Sequence, residues 1–470
     1  MVLWIGVDDT DSLQGMCTTF LATEIVRELG EEHDLIGYPR LVRLNPNIPW
    51  KTRGNGAVCL RIGRGKGSGF PVGRVGGRSL RAYREGEGGP SPSDVLERVC
   101  SILERWAMFD DPATNPGIVV LDRRPPPSLY WKAVRGIVPK SEVMGYLRTC
   151  GAYRAYKNGR GLIGATAATA WRPLDRTYEY LAYRSRRFWR AQRFLDVSSV
   201  LLMDRSFPST FSNIDPIERR VAIAPRSPCP VLYGIRGEAP GDLPRAAAIL
   251  RGEEPERWLL FETNQGTDDH IKPDDWSLRP RSATSVEGVV AKIPQTVPGG
   301  HVFVTFQGDR IIDLAFYEPS KAFRKVARAL RPGDRVRVWG SVRADGRSLN
   351  VEKIRIDELA IHRIRVANPI CPTCGKAMKS VGRDHGFRCI HGHARAAASA
   401  AMRVDIPRAI TLGWHEPPAF ARRHLTKPIS RILFGRKGPM EQELVARGVV
   451  EPPAAPSLRD PESAEYAPNS

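Results

Sequence analysis

The 470-residue sequence predicts a multidomain α+β fold. Three observations support this class. Strand-like and helix-like segments alternate through residues 1–278, five β-like runs with one helix follow within 283–360, and a Cys-x₂-Cys pair comes after them. The length itself favours several domains of ordinary size. We therefore divide the chain into the regions 1–124, 125–278, 283–360, 366–395, 396–450 and 451–470.

Residues 1–124 are predicted to form one α+β unit. A glycine-rich basic loop at 63–91 has little to bury and is expected to be mobile, and the run of prolines at 125–127 marks a linker. The order strand-helix-strand-strand-helix-strand resembles the ferredoxin-like arrangement. Strands are expected at 2–7, 35–44, 57–62 and 117–121, and helices at 18–29 and 93–107.

Residues 125–278 show a second α+β pattern. Gly159, Gly161 and Gly164 match the spacing of a dinucleotide-binding loop, but a helix rather than a strand precedes them, so we exclude a nicotinamide site. Helices are expected at 140–156, 164–170 and 242–251, and strands at 177–184, 197–203, 219–224, 230–236 and 257–262.

The β-like runs of residues 283–360 have the order of an OB-fold barrel. They lie near 285–292, 301–306, 311–317, 334–342 and 348–357, with a helix at 320–330 between the third and the fourth. OB-folds bind irregular or single-stranded nucleic acid by base stacking, although several aromatic residues must fill the barrel instead. The candidate stacking residues are Phe303, Phe306, Phe316, Tyr317 and Trp339.

The cysteines after the barrel predict a structural zinc ribbon. Cys371 and Cys374 have the knuckle spacing, and Cys389 follows after fourteen intervening residues. Position 392 is glycine, so His393 or His391 must supply the fourth ligand. His393 is slightly preferred because three intervening residues let the chain fold back over the metal.

The charge of the chain points to a polyanionic partner. Its formal net charge is +20, and arginine, whose planar fork suits phosphate, outnumbers lysine. Region 396–450 is basic, with Arg422, Arg423 and Lys427 in its densest cluster. Residues 451–470 are predicted to be disordered. No apolar run approaches the roughly 20 residues that a membrane span needs, and no secretory signal is evident, so we expect a cytoplasmic protein.

Three carboxylates crowd together directly after the first strand. Asp8, Asp9 and Asp11 would repel one another unless water or a hard cation such as Mg²⁺, carrying nucleotide phosphates, neutralises them. Thr18 and Thr19 begin the next helix, where a hydroxyl could receive a phosphoryl group. The alternative is an acidic turn followed by an ordinary helix cap.

A second group of candidate phosphate ligands lies at 51–56. Lys51 and Arg53 precede the turn residue Asn55, and basic side chains beside such a backbone can hold phosphates. The alternative is a hairpin turn with solvated charges. The sequence holds no Gly-x₄-Gly-Lys-Ser/Thr, so ATP would bind outside a P-loop.

These motifs together resemble those of the archaeal tRNA 2-agmatinylcytidine synthetase family. The strings that carry the resemblance are 6–12 (GVDDTDS), 15–19 (GMCTT), 43–46 (RLNP), 51–56 (KTRGNG), 114–117 (TNPG), 159–165 (GRGLIGA), 263–268 (TNQGTD) and the Cys371/Cys374 pair.

The resemblance implies an α/β kinase-like N-terminal domain, a ferredoxin-like middle region, an OB-fold and a zinc ribbon. It implies that ATP and agmatine convert the wobble cytidine of the isoleucine tRNA with a CAU anticodon into agmatidine, through a phosphorylated cytidine. The loop that also contains Thr10 and Ser12 would bind ATP and metal, and Thr18 would become phosphorylated by the enzyme itself.

Agmatine carries a guanidinium, which needs acidic partners. Asp268 and Asp269 are candidates by charge. The basic C-terminal residues and the barrel aromatics would contact tRNA, and no protein partner is evident. The alternative class is a non-catalytic protein that binds RNA or single strands through its OB-fold and zinc ribbon. ATP consumption separates the two.

Overall fold

The computed structural model describes residues 1–382 and 384–434. The predictions for residues 435–450 and for the tail at 451–470 lie outside the described residues. Within the described ranges, no helix has both the length and the apolar character that crossing a bilayer requires.

One mixed sheet contains strands from both 1–124 and 125–278. The strands of residues 1–278 are β1 (Leu3–Asp8), β2 (Asp34–Ile36), β3 (Arg40–Arg43), β4 (Gly56–Lys66), β5 (Phe70–Val75), β6 (Arg78–Tyr83), β7 (Glu85–Glu87), β8 (Gly117–Leu121), β9 (Ala152–Ala155), β10 (Thr177–Tyr183), β11 (Thr210–Phe211), β12 (Ile214–Asp215), β13 (Arg220–Val221), β14 (Val231–Gly237), β15 (Arg257–Thr263) and β16 (Ile271–Pro273). Of these, β12 and β13 form a separate pair and β16 joins the barrel below.

Helices cover both faces of the sheet around β1. The helices are α1 (Thr18–Leu29), α2 (Pro92–Trp106), α3 (Pro127–Arg135), α4 (Lys140–Leu147), α5 (Gly161–Ala170), α6 (Val197–Ser206) and α7 (Asp242–Ala247). Residues of α1 and α2 share one apolar core with the sheet, and residues of α3, α4 and α5 share another. Because β1 pairs with β4 and β8 and is covered on both faces, its sequence is almost wholly apolar.

Three local predictions for this region are wrong. The segment 63–91 extends β4 and then forms β5, β6 and β7, and β5 pairs with β15, whose distant sequence supplies the partner that the glycine-rich segment lacks locally. The expected strand 197–203 is α6, because Asp196 caps the helix by accepting from the backbone N–H groups of Ser198 and Ser199. The expected long helix 140–156 ends at Leu147, and β9 follows it.

The barrel agrees with its predicted order. It comprises β17 (Ala283–Val290), β18 (Gln295–Thr296), β19 (Val302–Gln307), β20 (Ile311–Phe316), β21 (Arg335–Val342) and β22 (Ser348–Glu358), with α8 (Phe323–Ala329) between β20 and β21. Strand β17 pairs with both β21 and β19, and β20 pairs in parallel with β22, so the sheet closes on itself. The pattern of alternating apolar residues was sufficient because each strand buries one face in a single core.

The chain then leaves the barrel and returns to it. The remaining elements are β23 (Arg363–Ala367), β24 (Lys379–Ser380), β25 (Phe387–Arg388), β26 (Arg395–Ala396), β27 (Met402–Asp405), β28 (Gly413–His415) and α9 (Ile429–Phe434). Strand β28 pairs with β22 of the barrel. We call residues 416–434, which run from there onto the large sheet, the C-terminal strap. Arg431 in it pairs with Asp175 and Glu238 of the sheet region.

Candidate functional site

The acidic turn after β1 opens into a cleft of about 710 Å³. Asp8 is the last residue of β1, and Asp9 has a φ of +58°, which turns the chain sharply at that point. Asp8, Asp9 and Asp11 all line the cleft, as does Thr18. The structure thus brings the three carboxylates and the hydroxyl to one place, although they come from a strand end, a turn and a helix start.

Asp11 holds Thr18 at the amino end of α1. Its Oδ1 accepts from the backbone N–H of Thr18 at 2.8 Å and from the Thr18 hydroxyl at 3.1 Å. The residue before the helix, Cys17, makes no capping bond with its side chain. Asp11 therefore supplies the cap from outside the helix, and it fixes the Thr18 hydroxyl at the edge of the cleft.

The other two carboxylates carry perturbed pKa values. Burial raises the pKa of Asp9 to about 6, although Arg160, whose Nε donates to Asp9 Oδ2 at 2.9 Å, opposes the shift. Burial and the nearby charge of Asp9 raise the pKa of Asp8 well above its usual range. Burial is thus the main cause of both upward pKa shifts, and a cation bound beside these carboxylates would favour their charged forms. Arg160 was not among the predicted ligands, because it stands inside the glycine-rich string 159–165 with no local signal of its own.

The opposite wall is the cleft loop, residues 45–56. Lys51, Arg53 and Asn55 line the cleft, together with Trp50 and Thr52. Arg53 Nε donates to Asp11 Oδ2 at 3.1 Å. Burial lowers the pKa of Arg53, but Asp11, Cys17 and Cys229 together more than offset this, so the net shift of its pKa is upward. The hydroxyl of Thr52 is buried and has no hydrogen-bond partner among the described residues. Since an unpaired buried hydroxyl is costly, this atom marks a place where a polar ligand fits.

Helix α5 approaches the acidic strand unusually closely. A Cβ at Gly164 would lie 1.8 Å from Asp8 Oδ2, and one at Gly161 would lie 2.6 Å from the backbone oxygen of Asp8. The glycine spacing that resembled a dinucleotide loop therefore has a packing role, because it lets the helix backbone lie against β1.

Three predicted phosphate ligands lie behind the cleft wall rather than on it. Thr10 donates to the Thr18 hydroxyl at 2.9 Å, and Ser12 donates to Asp111 at 2.7 Å. The Thr19 hydroxyl lies 3.1 Å from the Cys17 sulfur. All three side chains are buried, so they support the turn and the helix start without lining the cleft.

The two aspartates predicted to bind agmatine lie outside the cleft and have other partners. Asp268 accepts from the buried ammonium of Lys353 and from the backbone N–H of Lys427. Asp269 is buried and accepts from the hydroxyl of Tyr130. Their role in binding agmatine stays a prediction, and charge alone did not reveal that tertiary partners already engage both carboxylates.

Several predicted tRNA contacts also have structural partners. Phe306 is fully buried in the barrel core, as a residue on the inward face of a strand must be. In the strap, Arg422 pairs with Glu416, and Lys427 pairs with Asp175. Arg423 donates to Asn47 of the cleft loop at 2.6 Å. Arg423 and Lys427 thus join the strap to the body of the protein, whereas the Arg422–Glu416 pair lies within the strap.

Two other aromatic candidates of the barrel are partly accessible. Phe303 lies on β19 and Trp339 on β21, and both side chains are half-buried. The Trp339 ring packs on Trp414, with centroids 4.6 Å apart. Phe316, like Phe306, fills the core.

The cysteine cluster has the arrangement of a zinc site. The ligand atoms of Cys371, Cys374, Cys389 and His393 lie within 4.8 Å of one another. Hydrogen bonds from the backbone N–H groups of Cys374 and Thr373 help to lower the pKa of Cys371 to about 6, which favours the thiolate that binds metal. The donor set of three thiolates and one imidazole fits a tetrahedral structural zinc. The geometry favours His393 over His391.

We expect the two histidines to differ in zinc retention. His393→Ala removes a ligand, so it should lower zinc affinity by more than the roughly 10- to 100-fold that loss of a group bonded to a ligand costs. His391→Ala is the matched control and should retain one zinc per chain. Metal analysis after dialysis against a weak chelator measures both, and zinc loss from His391→Ala alone would contradict the assignment.

Comparison with known proteins gives consistent matches over most of the chain. Family models described as the TiaS TCKD domain, the TiaS FLD domain and the TiaS C-terminal zinc ribbon domain match residues 4–159, 159–270 and 368–410. A curated relative from Methanosarcina acetivorans, the 2-agmatinylcytidine synthetase TiaS for an isoleucine tRNA, is 38% identical over 448 residues, covering 91% of this chain and 97% of its own.

Solved structures are similar over the same length. The crystal structure of a complex of TiaS with an isoleucine tRNA and ATP has a TM-score of 0.79 and 36% identity, covering 93% of this chain and 99% of that one. A complex of TiaS with the same kind of tRNA, AMPCPP and agmatine has a TM-score of 0.76 and 34% identity, with the same coverage. The likeness therefore includes the cleft, the barrel and the cysteine cluster.

Proposed function

The chain belongs to the TiaS family of tRNA 2-agmatinylcytidine synthetases, and we propose that it carries out this family's reaction. It is an ATP-dependent ligase that joins agmatine to C2 of the wobble cytidine of the AUA-decoding isoleucine tRNA, giving agmatidine. The observation that carries the proposal is the cleft in which Asp8, Asp9, Asp11 and Thr18 face a basic loop.

The chemistry requires activation of a poor electrophile. The C2 carbonyl of cytosine receives electron density from the ring nitrogens, so an amine does not displace its oxygen unaided. Transfer of a phosphoryl group from ATP to that oxygen makes it a leaving group. The primary amine of agmatine then forms a bond to C2, the C2–O bond breaks, and phosphate departs. The cytidine must leave the anticodon stack to be reached, which costs a few kcal/mol.

The residues of the cleft fall into two groups, acidic residues that would bind metal and basic residues that would bind phosphate. Asp8, Asp9 and Asp11 would hold Mg²⁺, which supplies charge neutralisation for the triphosphate. Lys51, Arg53 and Arg160 lie where they can contact phosphate oxygens, and the unpaired Thr52 hydroxyl offers one more hydrogen bond. Thr18, held by Asp11, is positioned to receive a phosphoryl group. Catalysis of such transfers is mostly positioning and electrostatic stabilisation.

The finer domain assignments follow from the same proposal. We assign the kinase-like part to residues 4–159 and the ferredoxin-like part to residues 159–270, as the two family models divide the chain, which moves the boundary from the expected 124/125; the shared sheet joins the two parts. Residues 283–360 form the OB-fold and 366–395 the ribbon with its structural zinc. A non-catalytic single-strand-binding protein would not need a cleft lined by three carboxylates, which repel the phosphates of a nucleic acid unless they bind a cation.

The proposal is tested by self-labelling and by amine choice. Incubation with γ-labelled ATP should label Thr18, so Thr18→Ala should lose the label while Thr19→Ala, whose hydroxyl faces Cys17, should keep it. With tRNA added, ATP consumption should depend on agmatine, and neither lysine nor spermidine should replace it. ATP consumption that ignores both tRNA and agmatine would contradict the proposed reaction.

A further inference from the structure

The cleft loop is tied from outside the cleft through Asn47. The Asn47 amide nitrogen donates to the backbone oxygen of Ser282, beside the first barrel strand, at 3.2 Å. The Asn47 amide oxygen accepts from Arg423 Nη1 of the strap at 2.6 Å. Asn47 does not line the cleft, but Ile48 and Lys51 of the same loop do. Its contacts therefore act on the cleft only through the loop.

Arg423 is in turn held by the barrel. Its Nε lies 3.6 Å from Oε1 of Glu352 on β22, and this carboxylate is almost wholly buried. Glu352 also accepts from Ser341 at 2.7 Å and from Thr426 at 2.5 Å, and it contacts His270 at 2.9 Å. Because it has so many partners, the Glu352 carboxylate has little freedom to move, and it holds the Arg423 guanidinium in one position.

We propose that Arg423 is a positioning residue that holds the phosphate-binding wall of the cleft in place, by bridging Glu352 of the barrel to Asn47 of the cleft loop. The planar guanidinium reaches both partners at once, which the single ammonium of lysine does less well. The proposal rests on the proposed function, because it assigns the bridge a role in ATP binding. The site is then completed by the barrel and the strap, which lie far from the acidic turn along the chain.

The electrostatics of the loop agree with this arrangement. Burial and then the positive charge of Arg423 lower the pKa of Lys51, so the two cations lie near enough to interact. Lys51 Nζ donates to the backbone oxygens of Pro46 and Ile48, on either side of Asn47. Asn47 thus lies between the two residues that hold the Lys51 ammonium. A displacement of Asn47 would therefore also displace Lys51, which is a proposed phosphate ligand.

The test compares variants of the full chain for ATP affinity and turnover. Arg423→Ala and Asn47→Ala should each raise the KM and Kd for ATP about tenfold while tRNA affinity stays constant, because a displaced loop misplaces the phosphate ligands. The double variant should be no worse than the more affected single variant, since both changes break one bridge. Asn47→Asp keeps an acceptor for Arg423 but loses the donor to Ser282, so it should raise the Kd for ATP less than Asn47→Ala does.

A matched control separates the bridge from a general loss of charge. Arg176 also pairs with a buried glutamate, Glu262, at 3.1 Å, but it lies outside the cleft lining, so Arg176→Ala should leave the KM for ATP unchanged. If Arg423→Ala folds poorly, the KM for ATP is measured instead in Arg423→Lys, which keeps the charge. It should raise the KM for ATP less than alanine does.

Two results would overturn the proposal. One is a double variant whose Kd for ATP rises by the product of the two single-variant factors, which would mean that Arg423 and Asn47 act independently. The other is weakened tRNA binding with unchanged ATP affinity in Arg423→Ala, which would mean that Arg423 contacts RNA. Failure of the wild-type protein to make agmatidine would instead overturn the proposed function, and the comparison of ATP Kd values would still decide on the bridge.

Discussion

Replacing Asp11 with asparagine is expected to reduce agmatidine formation on the order of a thousandfold or more. Asparagine keeps the shape and one acceptor for Thr18, but it removes the charge that pairs with Arg53 and that would bind Mg²⁺. The Thr18 hydroxyl would keep its place while the triphosphate lost a ligand of its metal. Labelling of Thr18 from γ-labelled ATP should disappear together with turnover.

The control for this variant is a nearby aspartate outside the cleft. Asp110→Asn changes the same charge at a position away from the cleft lining and should retain activity. Filter binding should show that Asp11→Asn binds tRNA as well as the wild type does, because its change is confined to the acidic turn. Turnover within about threefold of the wild type, less than about 1 kcal/mol of transition-state stabilisation, would remove Asp11 from the site.

The second large effect is expected from one methyl group at Gly164. In Gly164→Ala the new Cβ would lie 1.8 Å from Asp8 Oδ2 and 3.0 Å from the Leu44 side chain. Because the nearest obstacle is the end of a side chain, the chain can still fold, but the Asp8 carboxylate must leave its position. We expect turnover to fall about a hundredfold, as for other misplacements of reacting groups by about 1 Å.

Gly145→Ala is the matched change for this prediction. Gly145 also lies in a helix, α4, but a Cβ there meets no atom of the described part of the chain within 4 Å, so activity and melting temperature should stay close to those of the wild type. For Gly164→Ala, circular dichroism should show a folded protein, and Mg²⁺-dependent ATP binding should weaken. A folded variant with unchanged ATP binding would show that the position of Asp8 does not matter to the site.

Local sequence patterns predicted an element or a ligand correctly where the residues that define it lie within one short segment. The strand Leu3–Asp8 and the helix Thr18–Leu29 follow from an apolar run and from apolar spacing. The barrel order follows from alternation along strands that share one core. Three of the four zinc ligands follow from cysteine spacing, because thiol chemistry is tied to residue type.

Distant partners decided what the local patterns could not. The hairpin of β5 and β6 exists as part of the sheet because β15, which comes much later in the chain, pairs with it. The charges of Asp268 and Arg423 suggested ligands, but Lys353 and Glu352 already engage them.

The sequence by itself determined the acidic turn, the barrel and the cysteine ligands, since each of these depends on residues close together in the chain. Only the tertiary structure decided that Arg160 and Thr52 line the same cleft and that the strap holds its loop. The physical reason is that a charge or a hydroxyl becomes a ligand or a structural pair according to which partners folding brings to it, and those partners are not encoded in local spacing.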